Sequence, residues 1–227
     1  MLPGLDGTGQ LFAPLFPHLP PQLEPLVVSY AAHEALSYRE LLPLVLRSLP
    51  KSGQFIVLAE SFSGPLGVLA AAQQPRGLLA LILVASFVRS PVPRALALAA
   101  PLVRAWLLSA APSTLQYRVL LGRSASAQLQ AQLREAVAAV PAGVLAARVR
   151  SVLTVNVVAE LAAVKVPILY LAASNDVLVR PRSLRLIQRI APQVQAATIA
   201  SPHLILQTAS SDAATAISSF AASVGAF

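Results

Sequence analysis

Gln54-Phe55-Ile56-Val57-Leu58-Ala59-Glu60-Ser61-Phe62-Ser63-Gly64-Pro65-Leu66-Gly67-Val68-Leu69-Ala70 decides how this chain is read. Two apolar runs flank a polar apex. Phe55 to Leu58 has the length of a buried strand, and Leu66 to Ala70 continues as a helix. Ser61 stands between them. Ala59 and Ser63 lie two positions to either side, and Gly64 follows. Strand, sharp turn and helix with serine at the apex is the pattern of the nucleophile elbow, G-x-S-x-G and its small-residue variants. The turn forces the serine into a strained backbone conformation. Its neighbours must be small so that strand and helix can close around it. Ala59 and Ser63 depart from the glycines usual at those positions.

A serine hydroxyl is a poor nucleophile until a nearby base takes its proton. The chain has three histidines, His18, His33 and His203. His203 directly follows a predicted strand, in Ala200-Ser201-Pro202-His203. Residues just past the carboxyl ends of strands line the ligand crevice of an open α/β sheet. His18 and His33 lie in polar or Pro-rich connections, where a surface role is expected. The base in turn needs a carboxylate to fix its tautomer. Of the nine acidic residues, Asp176 combines a post-strand position, in Ser174-Asn175-Asp176, with the chain order Ser, Asp, His. A turn or cap role before the helix at Pro181 is its alternative. Glu60 is expected to point away from Ser61, as a structural residue or part of the elbow lining. Glu160 is read as a surface residue.

The chain has 227 residues, 56% of them hydrophobic, enough for one large domain or one domain with an insertion. Mean hydropathy is +0.69, yet the longest apolar run, Gly77 to Val88, is shorter than the about 18 residues of a spanning helix. No transmembrane segment and no signal peptide are read, so a cytoplasmic location is expected. The net charge is +8. It comes from dispersed arginines without a basic run, which argues against nucleic acid as a partner. The absence of cysteine excludes disulfides, thiolate metal sites and a cysteine nucleophile.

Met1-Leu2-Pro3-Gly4-Leu5-Asp6-Gly7-Thr8-Gly9 is a Gly-rich loop without the spacing or lysine of a phosphate loop. Asp6 is expected to hold it by bonding local amides. Pro25 to Tyr30 reads as a short buried strand. Ser37-Tyr38-Arg39-Glu40 is a capping box for a helix from Leu41 to about Leu49, with a kink or later start at Pro43. Strands are predicted over Leu78–Ser86, Val166–Ala172 and Ala196–Ala200, and helices over Pro181–Ile190 and Ser211–Val224. Strands alternating with helices indicate an α/β fold with a parallel sheet. From Phe87 to Val164 prolines punctuate short helical stretches, and Leu129, Leu133, Val137 and Val140 share a helical face. Residues 87–164 are therefore read as a helical cap insertion into a core of residues 1–86 and 165–227.

Leu2-Pro3-Gly4-Leu5-Asp6-Gly7-Thr8-Gly9, Ala59-Glu60-Ser61-Phe62-Ser63-Gly64, Ala173-Ser174-Asn175-Asp176 and Ser201-Pro202-His203 together resemble the α/β-hydrolase superfamily. The resemblance is to bacterial serine carboxylesterases with an LPGxDGTG oxyanion loop. It implies a mostly parallel sheet flanked by helices, with the early N-terminal strands missing ahead of the loop. It also implies an oxyanion hole from the backbone amides of Leu5 and Phe62, a small-molecule ester substrate of short to medium acyl chain, and no cofactor or metal. Trp106, Leu107, Leu108, Leu115, Tyr117 and Leu121 are candidate cap walls for the substrate, with ordinary packing of cap on core as the alternative for each. An acyltransferase, a thioesterase or a non-catalytic binding protein on the same scaffold are the other readings.

Overall fold

The computed structural model describes residues 1–93, 97–98, 100–104, 113–123 and 125–227. Four apolar runs form one sheet: β1 (Phe55–Glu60), β2 (Leu78–Val84), β3 (Ile168–Ala173) and β4 (Gln195–Ile199). All neighbours are parallel, in the order β1-β2-β3-β4. The helices are α1 (Tyr38–Ser48), α2 (Gly64–Ala72), α3 (Ser113–Leu121), α4 (Ala127–Ala138), α5 (Ala142–Thr154), α6 (Val158–Ala163), α7 (Arg182–Ile190), α8 (Ile205–Thr208) and α9 (Ser210–Ser223).

Side chains of a strand alternate between faces, and each face of this sheet has its own apolar layer. Val57, Ala59, Leu81 and Leu83 meet Leu41 and Val45 of α1, Leu66 of α2, Leu161 of α6 and Ile187 of α7. Leu58, Ile82 and Val84 face Phe12, Leu15, Ile205 and Phe220 on the other side. Covering both faces explains why the strands read as nearly continuous apolar runs. A further cluster joins Leu11 and Leu204 of the core to Leu121, Leu129 and Leu133 of α3 and α4.

Between β2 and β3 the described regular elements are helices, and the two ends of the segment, non-helical apart from α6, pack on the sheet. Phe87, Val88, Val155, Val157, Leu161 and Val164 belong to the same cluster as the strands. Arg89 and Asn156 form an isolated antiparallel bridge that draws these ends together. Helix α6 is thus part of the core layer, and α3 to α5 are what stands over the ends of the strands.

Two local expectations change. Pro25 to Tyr30 does not form a strand. Its extended chain makes three bonds to the first loop, Met1 ammonium to Leu26 O at 2.6 Å, Val28 N–H to Met1 O at 3.0 Å and Tyr30 N–H to Gly7 O at 2.8 Å, and these do not continue as a ladder. The predicted helix after the capping box begins earlier, at Tyr38, and continues through Pro43. Ser37 and Glu40 form the box as expected, with Ser37 N–H donating to Glu40 Oε2 at 2.8 Å.

Because Leu161 is 1% exposed and Leu102 is 70% exposed, the two test the boundary of the core. Leu161→Ala is expected to lower the unfolding free energy by about 2–5 kcal/mol. Leu102→Ala is expected to change it by no more than about 0.5 kcal/mol. Urea denaturation midpoints measure both, and equal midpoints would place α6 outside the core.

Candidate active site

β1 ends at Glu60, and the chain turns at once through a 3-10 segment, Ser61–Ser63, into α2. Ser61 has φ 47°, a left-handed conformation that non-glycine residues seldom adopt. Side chains around the turn show why this sequence can make it. Gly67 faces Ala59, and a Cβ on Gly67 would lie 2.7 Å from that of Ala59. Ala59 is therefore tolerated where glycine is usual because the helix supplies the gap. A Cβ on Gly64 would fall 1.7 Å from Ser86 Oγ. Ser86 Oγ uses that space to donate to Ser61 O at 2.6 Å, and Tyr170 Oη in turn donates to Ser86 O at 2.7 Å. Ser63 is fully buried; its hydroxyl bonds Pro3 O and pairs with Tyr30 Oη. A serine there links the elbow to the first loop.

Phe62 is anchored by its ring. It stacks on Tyr38 with centroids 4.8 Å apart and meets Tyr30 edge-on at 6.2 Å. Tyr38 Oη donates to Phe62 O at 2.8 Å. The capping box is thus functional in placement, because Tyr38 is the first residue of the helix it starts.

The three residues singled out for a relay meet. Ser61 Oγ lies 2.7 Å from His203 Nε2, and His203 Nδ1 lies 2.7 Å from Asp176 Oδ2. The other oxygen of Asp176 accepts the amides of Leu178 at 2.8 Å and Val179 at 3.0 Å. Its turn-forming role and its contact with His203 therefore coexist, one per oxygen. A carboxylate can only accept, so Nδ1 carries the proton and Nε2 is left to accept from Ser61. The side chains of His203 and Asp176 are 3% and 2% exposed, which shields the pair from competing water. His18 and His33 are exposed.

Ser61 and His203 open into a cavity of about 560 Å³. Its floor includes Gly4, Leu5, Asp6 and Glu60, and its walls include Leu120, Leu133, Val137, Val140, Leu145 and Leu178. No lysine or arginine lines it among the described residues. Val119 and Leu120 of α3 face the cavity, whereas Tyr117 packs behind them on the cluster that contains Leu121, Leu129 and Leu133. Trp106, Leu107 and Leu108, and the side chain of Leu115, lie outside the described residues. Among the described residues no group of three His, Asp or Glu converges as a metal site would require.

The first loop also reaches the elbow through a backbone bridge between Leu2 and Ala59. Leu2 N–H donates to Leu58 O at 2.7 Å and Leu2 O accepts from Glu60 N–H at 3.1 Å. Asp6 holds the loop as expected, its Oδ2 accepting from Thr8 N–H at 2.9 Å and from Thr8 Oγ at 2.5 Å. Arg148 of α5, which the sequence did not single out, donates to the carbonyls of Leu5 and Asp6 at 2.9 and 2.7 Å.

Glu60 is 1% exposed beneath this loop. Its Oε2 is 3.4 Å from Gln207 Nε2, while its Oε1 has no partner among the described residues. Burial pushes its pKa up to about 8; the Gln207 bond opposes the rise and the Asp6 carboxylate adds to it.

No protein-family model matches the sequence, and no curated protein is matched by it. Solved structures match along nearly the whole chain. A hydrolase from Pseudomonas aeruginosa is 18% identical with a TM-score of 0.80, over 96% of this chain and 86% of its own. MenH from S. aureus is 18% identical at 0.77, over 98% and 92%. A lipase-esterase related protein from Clostridium acetobutylicum is 10% identical at 0.75, over 96% and 92%. The fold is the α/β-hydrolase fold. Ser61, Asp176 and His203 follow the carboxyl ends of β1, β3 and β4, the edge at which open α/β sheets bind ligands.

The buried carboxyl of Glu60 makes stability depend on pH. Its folded pKa of about 8 exceeds the ordinary 4.5, so the folded chain holds a proton that the unfolded chain has released between those values. Stability contributed by this site falls as pH rises through that window and levels off above it. Glu60→Gln keeps the shape and removes the proton. Between about pH 5 and pH 8 the wild-type melting temperature is expected to drop relative to that of Glu60→Gln. Parallel melting curves across that range would locate the proton elsewhere.

Proposed function

We propose that this chain is a serine hydrolase of carboxylic esters. The observation that carries the reading is the Ser61 Oγ–His203 Nε2–Asp176 relay, with two contacts of 2.7 Å, at the floor of an apolar cavity. The hydrolase and lipase-esterase related proteins of the same fold support it by analogy.

In this reading Ser61 Oγ attacks the acyl carbonyl as its proton passes to His203 Nε2. Asp176 orients the ring and stabilises the imidazolium. The carbonyl oxygen becomes an oxyanion held by the amides of Phe62 and Leu5. Phe62 offers its N–H in the first turn of the helical segment that runs into α2, where amides lack intrahelical partners. The Leu5 amide has no acceptor among the described residues. A donor so placed contributes about 3–4 kcal/mol to the transition state. Collapse expels the alcohol oxygen, which takes the proton from Nε2 and leaves an acyl-Ser61. Water, deprotonated by Nε2, attacks that ester; the second tetrahedral intermediate breaks to free acid, and Ser61 regains its proton.

The cavity wall selects the substrate class. Aliphatic side chains, with no cationic residue among the described ones, favour an uncharged, apolar acyl or alcohol group of short to medium length. Helices α3 to α5 are the cap in this reading, and the sheet with its two helical layers is the core. An alcohol, amine or thioester in place of water or ester would turn the same steps to acyl transfer or thioester hydrolysis. Product analysis with competing alcohols separates these outcomes.

An activated short-chain ester is expected to give a burst of alcohol product equal to the enzyme present. Ser61→Ala and His203→Ala are each expected to reduce turnover by at least about 10⁴-fold. Full activity in Ser61→Ala would end the proposal.

A further inference from the structure

Arg148 carries a charge in a place where arginine is rarely found. Its side chain is 1% exposed, and among the described residues it forms no ion pair. Carbonyl oxygens take its protons instead. Nη1 donates to Leu5 O at 2.9 Å and Asp6 O at 2.7 Å, and Nη2 donates to Ala31 O at 3.2 Å. The guanidinium lies over the Tyr30 ring, 5.7 Å from its centroid, within cation–π range. Burial lowers its pKa, and Asp6 and Tyr30 counteract that. The loop is shaped to receive it: Gly7 has φ 70°, and a Cβ there would lie 2.6 Å from Nη1.

A buried guanidinium held by neutral acceptors is costly unless each donor is used. Packing stability alone would be served as well by an aliphatic side chain. What Arg148 does that an aliphatic residue cannot is orient carbonyls. Fixing Leu5 O and Asp6 O fixes two successive peptide planes, and with them the backbone torsions of Asp6; the second plane carries the Gly7 N–H, which donates at 3.1 Å to Gly4 O, the carbonyl that shares a peptide plane with the Leu5 N–H. The same helix also holds the Leu5 side chain, which packs on Val140, Val144 and Leu145. Leu145 and Val140 in turn line the cavity. Anything that fills the cavity therefore presses on the element that holds the donor loop.

We propose that Arg148 is a positioning residue that couples the seating of α5 to the placement of the Leu5 oxyanion donor, so that an apolar acyl group filling the cavity raises turnover as well as affinity. The proposal rests on the serine-hydrolase reading above. With α5 seated, the three carbonyl bonds hold the Leu5–Gly7 turn and leave the Leu5 N–H facing the reacting carbonyl. With α5 displaced, those bonds are lost together, and only the Phe62 donor remains in place.

The test uses the full chain with p-nitrophenyl acetate and p-nitrophenyl hexanoate. A fluorophosphonate probe is first applied to the wild type. Failure to label Ser61 there brings down the hydrolase reading and this proposal with it. With labelling established, Arg148→Ala is expected to lower kcat about 100-fold, the penalty of a misplaced reacting group, with KM changed by less than about twofold. Arg148→Lys keeps the charge but not the fork, and its kcat is expected to fall between. Added guanidinium chloride should restore part of the Arg148→Ala kcat and none in the wild type. A trifluoromethyl ketone, whose adduct carries the oxyanion, should lose affinity by the same factor as kcat/KM. The advantage of hexanoate over acetate in kcat should vanish in both variants. Wild-type kcat in either variant overturns the coupling, and so does a loss that neither guanidinium nor the ketone affinity tracks. If Arg148→Ala does not fold, the kcat, KM and ketone affinity of Arg148→Lys decide alone.

Discussion

Everything in this molecule that bears on chemistry depends on one backbone torsion, the φ of 47° at Ser61. A non-glycine residue held in that region costs on the order of 1–3 kcal/mol, and it persists only when its surroundings over-determine it. They do so here from three directions. Ser86 and Tyr170 hold the carbonyl of Ser61 from the β2 and β3 side. The Phe62 ring is gripped by Tyr38 and Tyr30. Ser63 is tied to Pro3 and Tyr30. Each neighbour of Ser61 is thus committed to packing or to backbone, and the Ser61 hydroxyl is directed to His203. The small residues of the elbow are consequences of this crowding. Gly64 makes room for Ser86, and Gly67 makes room for Ala59.

The sequence was most informative where structure is local. Four apolar runs bounded by turn residues mark the four strands, and the residues just after three of them are Ser61, Asp176 and His203. A parallel sheet sends such positions to one edge, so spacing along the chain sufficed to bring together residues as far apart as 61 and 203. The run from Pro25 to Tyr30 had the right composition for a strand. A strand also needs a partner ladder, and composition carries no information about that. Arg148 was invisible for a related reason. It sits among dispersed arginines, and its partners are main-chain carbonyls 117 to 143 residues away. The available hints were an arginine between the apolar residues of α5 and a glycine at position 7, and neither is specific alone. Likewise, the pairing of Ser63 with Tyr30 is what makes serine acceptable at a glycine position, and no local pattern announces it.

The floor of the cavity is built from the first loop, β1 and the residues after β4, with α3 to α5 above. Its polar groups are unequally served. Asp6 and Asp176 each accept from nearby amides. Glu60 has only a long contact to Gln207, and burial there wins over ionisation. Two kinds of carboxyl group thus lie within one site, one kind solvated by backbone dipoles and the other stripped of solvent.

That difference alters the electrical identity of the folded chain. A formal charge of +8 counts Glu60 as an anion. With a pKa of about 8 it is roughly nine-tenths protonated at neutral pH, so at this site folding draws almost a whole proton from the buffer. The heat of unfolding therefore contains the ionisation enthalpy of whatever buffer receives that proton. The protein's calorimetric signature belongs partly to its solution.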